Sequence, residues 1–130
     1  MNIGDITQRT GIPARTLRYY EDIGLVAPAR AENGYRDYSA ADLDRLMLIA
    51  QARHMGFSLD ECRRLAALNA DPGRASREVR ALAQKNLAAV QDRIARLRAL
   101  EAQLRALIAQ CHGDDQPDCA ILEELSGKRP

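Results

Sequence analysis

Residues 1–25 read MNIGDITQRTGIPARTLRYYEDIGL, and this stretch decides the fold of the N-terminal part of the chain. Asn2 caps a predicted short helix that ends at about Thr10, before a glycine that breaks it. Pro13 suits the first turn of a second helix, which ends at Gly24. Two short helices joined by a turn that contains glycine predict a helix-turn-helix.

A small β-ribbon, or wing, is predicted to follow the second helix, over residues 26–38. The ribbon contains NGYRDY, and its Asn33-Gly34 pair is a strong hairpin signal. A type I′ turn needs positive φ at both central positions, which Asn and Gly tolerate best. Tyr35 and Tyr38 flank the turn.

Two further helices are predicted from capping residues. Ser39 caps the third helix, which a glycine after Met55 stops. Its apolar face is predicted to consist of Leu43, Leu46, Leu48, Ile49 and Met55. Ser58 and Glu61 form a capping box for a fourth helix that reaches about Asn69.

Residues 74–110 contain neither Gly nor Pro and predict one long helix. At about 1.5 Å per residue this helix spans roughly 50 Å, too long to bury its apolar side on a small domain. A heptad-like seam therefore indicates a partner helix, most simply from a second copy of the chain. A helix folded back on the N-terminal half is the alternative. The seam consists of Leu87, Val90, Ile94, Leu97, Leu104 and Ile108.

Basic and hydroxyl side chains on the second helix and the wing indicate contact with double-stranded DNA. Arginine makes planar, bidentate contacts with phosphates and guanine edges, and tyrosine donates to phosphates. Of the 19 Lys and Arg residues only Lys85 and Lys128 are lysines, which favours this chemistry. The candidate DNA-binding residues are Arg15, Thr16, Arg18, Tyr19, Arg30, Tyr35, Arg36 and Arg53.

Two cysteines, Cys111 and Cys119, enclose the polar loop CHGDDQPDC after the long helix. Two soft sulfur ligands suit Cu(I), Ag(I) or Au(I), whereas zinc usually takes four ligands. A divalent site completed by His112 or an acidic residue, a thiol redox sensor and two cysteines that merely pack remain alternatives. A cysteine-dependent enzyme is a remote alternative, because no oxyanion or phosphate-binding motif accompanies the thiols.

Composition limits the class of protein further. The chain has 130 residues, 46% hydrophobic and 28% charged, with a net charge of +1, which predicts a globular protein. It has no long uncharged apolar run and no secretory leader, so we expect no membrane span and a cytoplasmic location. A mainly α fold is predicted, with a DNA-binding domain at 1–70, a dimerisation helix at 74–110 and a metal loop, short helix and tail at 111–130.

The stretch 1–25, the NGYRDY of the wing and the QARHMGFSLDE of residues 51–61 resemble the MerR family of bacterial transcriptional regulators. This resemblance implies a homodimer joined by an antiparallel coiled coil of the long helices. It also implies binding to a two-fold symmetric operator within a promoter whose spacer is too long. The effector then makes the dimer distort the DNA, so that RNA polymerase can use the promoter.

The cysteine loop, followed by AILEELSG, resembles the copper efflux regulator branch of that family. The resemblance implies one monovalent ion per subunit, held by Cys111 and Cys119. It also implies that Ser76 replaces a cysteine found in divalent-metal sensors, with Gly113 and Asp114 next to the ligands. Two thiolates and one monovalent ion carry a net charge of −1, so backbone N–H groups or a helix N-terminus must stabilise it.

Overall fold

The computed structural model describes residues 1–127, which form six helices and one antiparallel ribbon. The predicted mainly α fold, with a winged helix-turn-helix before a long helix, is confirmed. Residues 128–130 of the predicted tail lie outside the described residues. The elements are α1 (Ile3–Thr10), α2 (Ala14–Asp22), β1 (Ala29–Arg30), β2 (Arg36–Asp37), α3 (Ala40–His54), α4 (Leu59–Ala70), α5 (Ser76–Gln110) and α6 (Ala120–Leu125).

The described chain divides into two compact units, residues 1–86 and the segment from residue 87 onward. In the first unit α1 packs on α2 and α3, and α3 packs on α4. No helix within residues 1–127 combines the length and the apolar character that crossing a bilayer requires.

Three helices begin at reciprocal capping boxes, in which a polar cap and an acidic residue three positions later exchange hydrogen bonds. Each cap of this kind stabilises its helix by about 1 kcal/mol. The Ser58 backbone N–H donates to Glu61 and lowers the pKa of that carboxyl. The boxes are Asn2 with Asp5, Ser39 with Asp42 and Ser58 with Glu61.

Two helix boundaries differ by a residue or two from the sequence prediction. Pro13 is the N-cap of α2 instead of its first helical residue, with φ −59° and ψ 148°. The long helix begins at Ser76 instead of at residue 74, because Arg74 donates to the carbonyls of Asn69 and Asp71 and closes the preceding turn.

The wing is present, but the predicted type I′ turn is wrong. No residue other than glycine has positive φ within the described chain, so Asn33 does not adopt the conformation that this turn requires. The Gly34 N–H donates to the Ala31 carbonyl at 2.9 Å, and Gly34 itself has φ +83°. This geometry is that of a three-residue hairpin loop, a type I turn followed by a left-handed glycine. The Asn33 side chain instead accepts from the Tyr35 N–H at 3.1 Å.

One core, formed by α1–α4 and the base of the wing, holds the first unit together. Cys62 is fully buried there, and burial raises the pKa of its thiol, so it packs as a small apolar residue. Met55 was predicted on the apolar face of α3, but it lies past the helix end and is 60% exposed. The side chains buried most completely are Ile6, Leu17, Leu25, Tyr38, Leu46, Ile49 and Cys62.

The first turns of α5 belong to this unit and are attached to α3 by a buried polar residue. Asn86 is 7% exposed, and its Nδ2 donates to the Met55 carbonyl at 2.9 Å. That carbonyl lies just past the last turn of α3, where helical partners are missing. Leu82, one turn earlier on α5, packs against the same core.

The free energy of unfolding of the Tyr38→Phe variant is expected to equal that of the wild type or to exceed it by about 1 kcal/mol. Tyr38 is 1% exposed, and within the described residues its hydroxyl has no hydrogen-bond partner. Removing a buried hydroxyl that makes no bond relieves a desolvation cost and keeps the ring packing. Urea unfolding measures the change, and a loss above about 1 kcal/mol would show that the hydroxyl is bonded.

Candidate functional site

The second helix presents two distinct faces. Leu17 and Tyr20 are buried in the core, whereas the side of α2 that carries the predicted DNA-binding residues faces outward. Arg15, Arg18 and Tyr19 are exposed, and Thr16 is half-buried. The core residues thereby orient α2 so that two arginines and a tyrosine are available on one surface.

The wing is attached to α2 through a single carboxylate, Glu21. Its Oε1 accepts from Arg36 Nε at 2.8 Å and from Arg30 Nη2 at 3.3 Å. Arg30 and Arg36 were predicted only as DNA contacts, and the structure shows that they also hold the ribbon against the recognition helix α2. Glu21 lies in the quoted stretch 1–25, but the residues next to it in sequence do not reveal this role.

The backbone of Met1 also joins the base of the wing. The Tyr38 N–H donates to the Met1 carbonyl at 2.7 Å. Together with Glu21, this contact fixes the strand that carries Arg36.

Two clefts gather the predicted DNA-binding residues around α2. One, of about 470 Å³, lies between α1, α2 and the wing, and brings Arg18 together with Tyr35 and Arg36. The other, of about 390 Å³, brings Thr16 together with Arg53 and His54 at the end of α3. Tyr35 is 73% exposed at the wing tip. The eight predicted residues therefore lie in the same unit, most of them around these two clefts.

Replacing Glu21 by Gln is expected to lower the free energy of local opening of the wing by about 1 kcal/mol. The neutral amide no longer pairs with the two guanidinium groups, which are partly shielded from water at this point. Hydrogen exchange of the Ala31 and Tyr38 amides, which both donate hydrogen bonds in the wing, measures the effect. Asp22→Asn, the same change of charge at an exposed neighbouring position, serves as the control. Equal protection in both variants would contradict the anchoring role.

The end of α2 is held by side chains from α3 and α4. Leu25 N–H donates to the Tyr20 carbonyl and Gly24 N–H to that of Glu21, a Schellman motif with Gly24 at φ +75°. The carbonyls left free accept from two arginines. Arg63 donates to Ile23 at 2.7 Å and to Gly24 at 3.2 Å, and Arg45 donates to Leu25 at 2.7 Å.

The second candidate site consists of the two cysteines in the loop after α5. Cys111 Sγ and Cys119 Sγ lie 4.0 Å apart, and both side chains are half-buried and free of disulfides. A disulfide bond is about 2.05 Å long, so this separation leaves room for an ion that both sulfurs contact. Within residues 1–127 no group of three or more His, Cys, Asp and Glu side chains converges on a common point.

The first turn of α6 supplies positive partial charge next to Cys119, which is the N-cap of that helix. The pKa of the Cys119 thiol is lowered, chiefly by the backbone N–H of Leu122 and further by that of Ile121 and by Cys111. Sγ makes no capping hydrogen bond, so these N–H groups act as aligned dipoles. A thiolate is the form that binds a metal, and this surrounding favours it.

The other residues predicted for the metal site do not converge on the two sulfurs within residues 1–127. Gly113 has φ +63°, a left-handed conformation that favours glycine, and Asp114 Oδ1 accepts from the Gln116 N–H at 2.9 Å. Both residues therefore shape the loop. His112 is exposed. Ser76 is the first residue of α5 and belongs to the first unit.

A stripe of apolar side chains along the second unit is exposed to solvent. Leu97 is 64% exposed, and Leu104 and Ile108 are similarly open, whereas Val90 of the predicted seam is half-buried. Contiguous apolar surface of this kind marks an interaction site. The exposed members are Leu87, Ile94, Leu97, Leu100, Leu104 and Ile108 on α5, and Leu122 and Leu125 on α6.

A helix-turn-helix with a wing and an outward-facing basic recognition helix defines the chain as a DNA-binding transcriptional regulator. Residues 1–68 match the family described as MerR HTH family regulatory protein, and residues 43–107 match the description MerR, DNA binding. The chain belongs to the MerR family.

Full-length relatives agree with this assignment. The chain is 51% identical to the HTH-type transcriptional regulator HmrR of Rhizobium leguminosarum bv. viciae over 97% of this chain and 98% of the relative. It is 43% identical to CueR of Salmonella typhimurium (strain LT2) over 98% and 93%. These relatives are transcriptional regulators, which confirms the prediction that the chain is not an enzyme.

Among solved structures, the chain resembles a transcription regulator from Ralstonia metallidurans CH34 in complex with lead(II). The TM-score is 0.78 at 35% identity, covering 96% of this chain and 98% of that one. The resemblance extends across the winged helix-turn-helix, the long helix and the C-terminal loop.

Proposed function

We propose that this protein is a transcription activator that responds to a monovalent soft metal ion, Cu(I) with Ag(I) and Au(I) as alternatives. The observation that carries the proposal is the pair of sulfur atoms 4.0 Å apart with no third candidate ligand converging on them within residues 1–127. Two soft ligands satisfy a monovalent ion of this group and leave zinc incompletely coordinated. The names of the HmrR and CueR relatives and the lead(II) complex support a metal as the effector.

The negative charge of the proposed metal–thiolate complex suits the loop that would hold it. One ion and two thiolates carry a net −1, and the N–H groups at the start of α6 lower the pKa of Cys119 by stabilising negative charge there. We propose that Ser76 of the partner subunit faces the loop and limits it to two sulfur ligands. A hydroxyl at this position adds no third thiolate, so a divalent ion keeps an unsatisfied charge and coordination.

The protein is proposed to act as a homodimer on double-stranded promoter DNA in the cytoplasm. The exposed stripe on α5 pairs with that of a second copy, which places two recognition helices on a two-fold symmetric operator. Arg15, Thr16, Arg18 and Tyr19 face the DNA from α2. The wing and the end of α3 contribute Arg30, Tyr35, Arg36 and Arg53.

Metal binding is proposed to order residues 111–119 and to shift the two DNA-binding halves of the dimer. The apo and metal-bound forms then occupy the same operator but bend and twist it differently. RNA polymerase on that promoter initiates only when the over-long spacer is distorted. Regulation therefore depends on the shape of the DNA and only weakly on occupancy.

The test is a competitive titration of the reduced protein with Cu(I) and Ag(I) against Zn(II) and Hg(II). We expect one monovalent ion per subunit that zinc does not displace. Transcription from a promoter that the protein binds should rise with the same stoichiometry. Preferential binding of zinc or mercury would contradict the proposal and would indicate that His112 or an acidic residue completes a divalent site.

The distance between the Cys111 and Cys119 sulfurs also favours a second candidate function, a thiol redox sensor. Sulfurs 4.0 Å apart need only a small loop movement to form a disulfide. Mass spectrometry after mild peroxide treatment separates the two candidates, because peroxide is reduced to water as the two thiols form a disulfide, and the protein loses the mass of two hydrogen atoms. An unchanged mass would leave the metal sensor as the function.

A further inference from the structure

The segment that connects the recognition helix α2 to the wing exposes three consecutive carbonyls, those of Ile23, Gly24 and Leu25. Each accepts a hydrogen bond from an arginine on another helix. Arg45 comes from α3, which also belongs to the core. Arg63 comes from α4, and it lies 39 residues after Gly24 and 40 residues after Ile23 in the sequence.

Arg63 makes both of its bonds to the end of α2. Nη2 lies 2.7 Å from the Ile23 carbonyl and Nη1 lies 3.2 Å from that of Gly24, so the guanidinium bridges two adjacent acceptors. A cation at this position also opposes the negative end of the helix dipole. The planar guanidinium matches two acceptors at once, which the single ammonium of a lysine does not reproduce.

The helix that carries Arg63 also contacts α5. Arg64, the next residue, pairs with Glu78 in the first turn of α5. Adjacent side chains of one helix thus reach in two directions, Arg63 to the end of α2 and Arg64 to the start of α5. A displacement of α4 therefore moves the donors that hold the carbonyl end of the recognition helix, at Ile23 and Gly24.

We propose that Arg63 is a positioning residue that couples the placement of α4 to the pose of the recognition helix and the wing on DNA. This inference rests on the proposed function, because it takes metal binding as the event that displaces α4. Arg63 itself need not touch DNA. It acts through Ile23 and Gly24, and its effect is on the shape of bound DNA more than on affinity.

The experiment compares Arg63→Lys with Arg64→Lys, two variants that keep the net charge and lie side by side on α4. The DNA is a duplex selected by the wild-type protein from a random-sequence library and labelled with a fluorophore at each end. Energy transfer between the ends is measured at saturating protein, with and without Ag(I). Ag(I) binding to each protein is titrated separately.

We expect Arg63→Lys to bind Ag(I) as the wild type does and to saturate the duplex. Its metal-induced change in energy transfer should be largely lost, because a lysine ammonium does not bridge the Ile23 and Gly24 carbonyls. Arg64→Lys should keep most of the change, because a lysine still pairs with Glu78. A merely stabilising role for Arg63 would lower the melting temperature and leave the metal-induced change intact, which would overturn the proposal.

The remaining outcomes are also decisive. An equal loss in both variants would overturn the specific role of Arg63. If wild-type protein binds Ag(I) without any change in energy transfer, the proposed function fails. The apo complexes then test Arg63 alone, since Arg63→Lys must still differ from the wild type and from Arg64→Lys in energy transfer. Identical apo values would overturn the inference.

Discussion

The Cys111→Ser/Cys119→Ser protein is expected to lose at least about a hundredfold in affinity for Cu(I) and Ag(I), because even the loss of an outer-shell partner costs up to that much. The two sulfurs lie 4.0 Å apart and are the soft ligands of the loop. A serine hydroxyl is a hard, neutral ligand at pH 7 and neither carries the thiolate charge nor suits a soft ion. Competition with a chromophoric Cu(I) chelator measures the change.

The variant should keep its fold and its affinity for DNA. Both cysteines are half-buried at the end of the second unit and contribute nothing to the core of the first. In transcription assays the protein is therefore expected to occupy its operator and to show no response to metal. Loss of DNA binding together with metal binding would indicate that the loop supports the dimer instead of sensing an ion.

Two single variants serve as controls. Cys62→Ala removes the third thiol, which is fully buried in the core, and should leave the metal affinity unchanged. His112→Gln removes an exposed imidazole and tests a third ligand directly. A double cysteine variant that still binds Cu(I) tightly would contradict the assignment of Cys111 and Cys119.

The second large effect is expected from Leu97→Glu on α5. Leu97 is 64% exposed in the single chain, so a glutamate there does not disturb the fold of the subunit. In the proposed dimer the same position is buried against a second helix, so each subunit would bury one unpaired carboxylate in the seam. We expect monomers in sedimentation velocity at concentrations where the wild type is dimeric.

Loss of the dimer should also lower the affinity for operator DNA. Two linked recognition helices bind with an effective concentration that raises affinity by about 10²–10⁴-fold over one. Leu97→Glu should lose a large part of that factor while the N-terminal unit stays folded by circular dichroism. Metal binding by the isolated subunit should weaken as well if Ser76 of the partner shapes the site.

Ala95→Glu is the matched control for this experiment. At 3.6 residues per turn Ala95 lies on the opposite side of α5 from Leu97, and it is also exposed. The same charge added there should leave the oligomeric state unchanged. A dimeric Leu97→Glu protein, or an Ala95→Glu protein that dissociates equally, would contradict the assignment of the seam.

Much of the architecture could be predicted because its signals are local. Ser58 and Glu61 specify a helix start within four residues, and the heptad pattern specifies one face of α5 wherever that helix lies. The wing was predicted correctly from Asn33-Gly34, but the predicted turn type was wrong. In this turn Gly34 takes positive φ and Asn33 does not, because the Asn33 side chain accepts a hydrogen bond from the Tyr35 backbone N–H.

The sequence also predicts that Cys111 and Cys119 can meet, and it predicts which side of α2 is exposed. A turn-rich loop can bring together two cysteines eight positions apart, and it does, with the sulfurs 4.0 Å apart. The exposed placement of Arg15, Arg18 and Tyr19 follows from burying Leu17 and Tyr20 on the other side of the same helix.

The sequence by itself thus determined the helices, the ribbon and the candidate ligands, because each depends on residues a few positions apart. Only the tertiary structure decided which distant groups meet: Glu21 with Arg36, Asn86 with the Met55 carbonyl, and Arg63 with the end of α2. An arginine has many carbonyls within reach of its long side chain, and its own neighbours do not select among them. That selection is made by the packing of the core, which fixes where α4 and the first turns of α5 lie relative to α2 and α3.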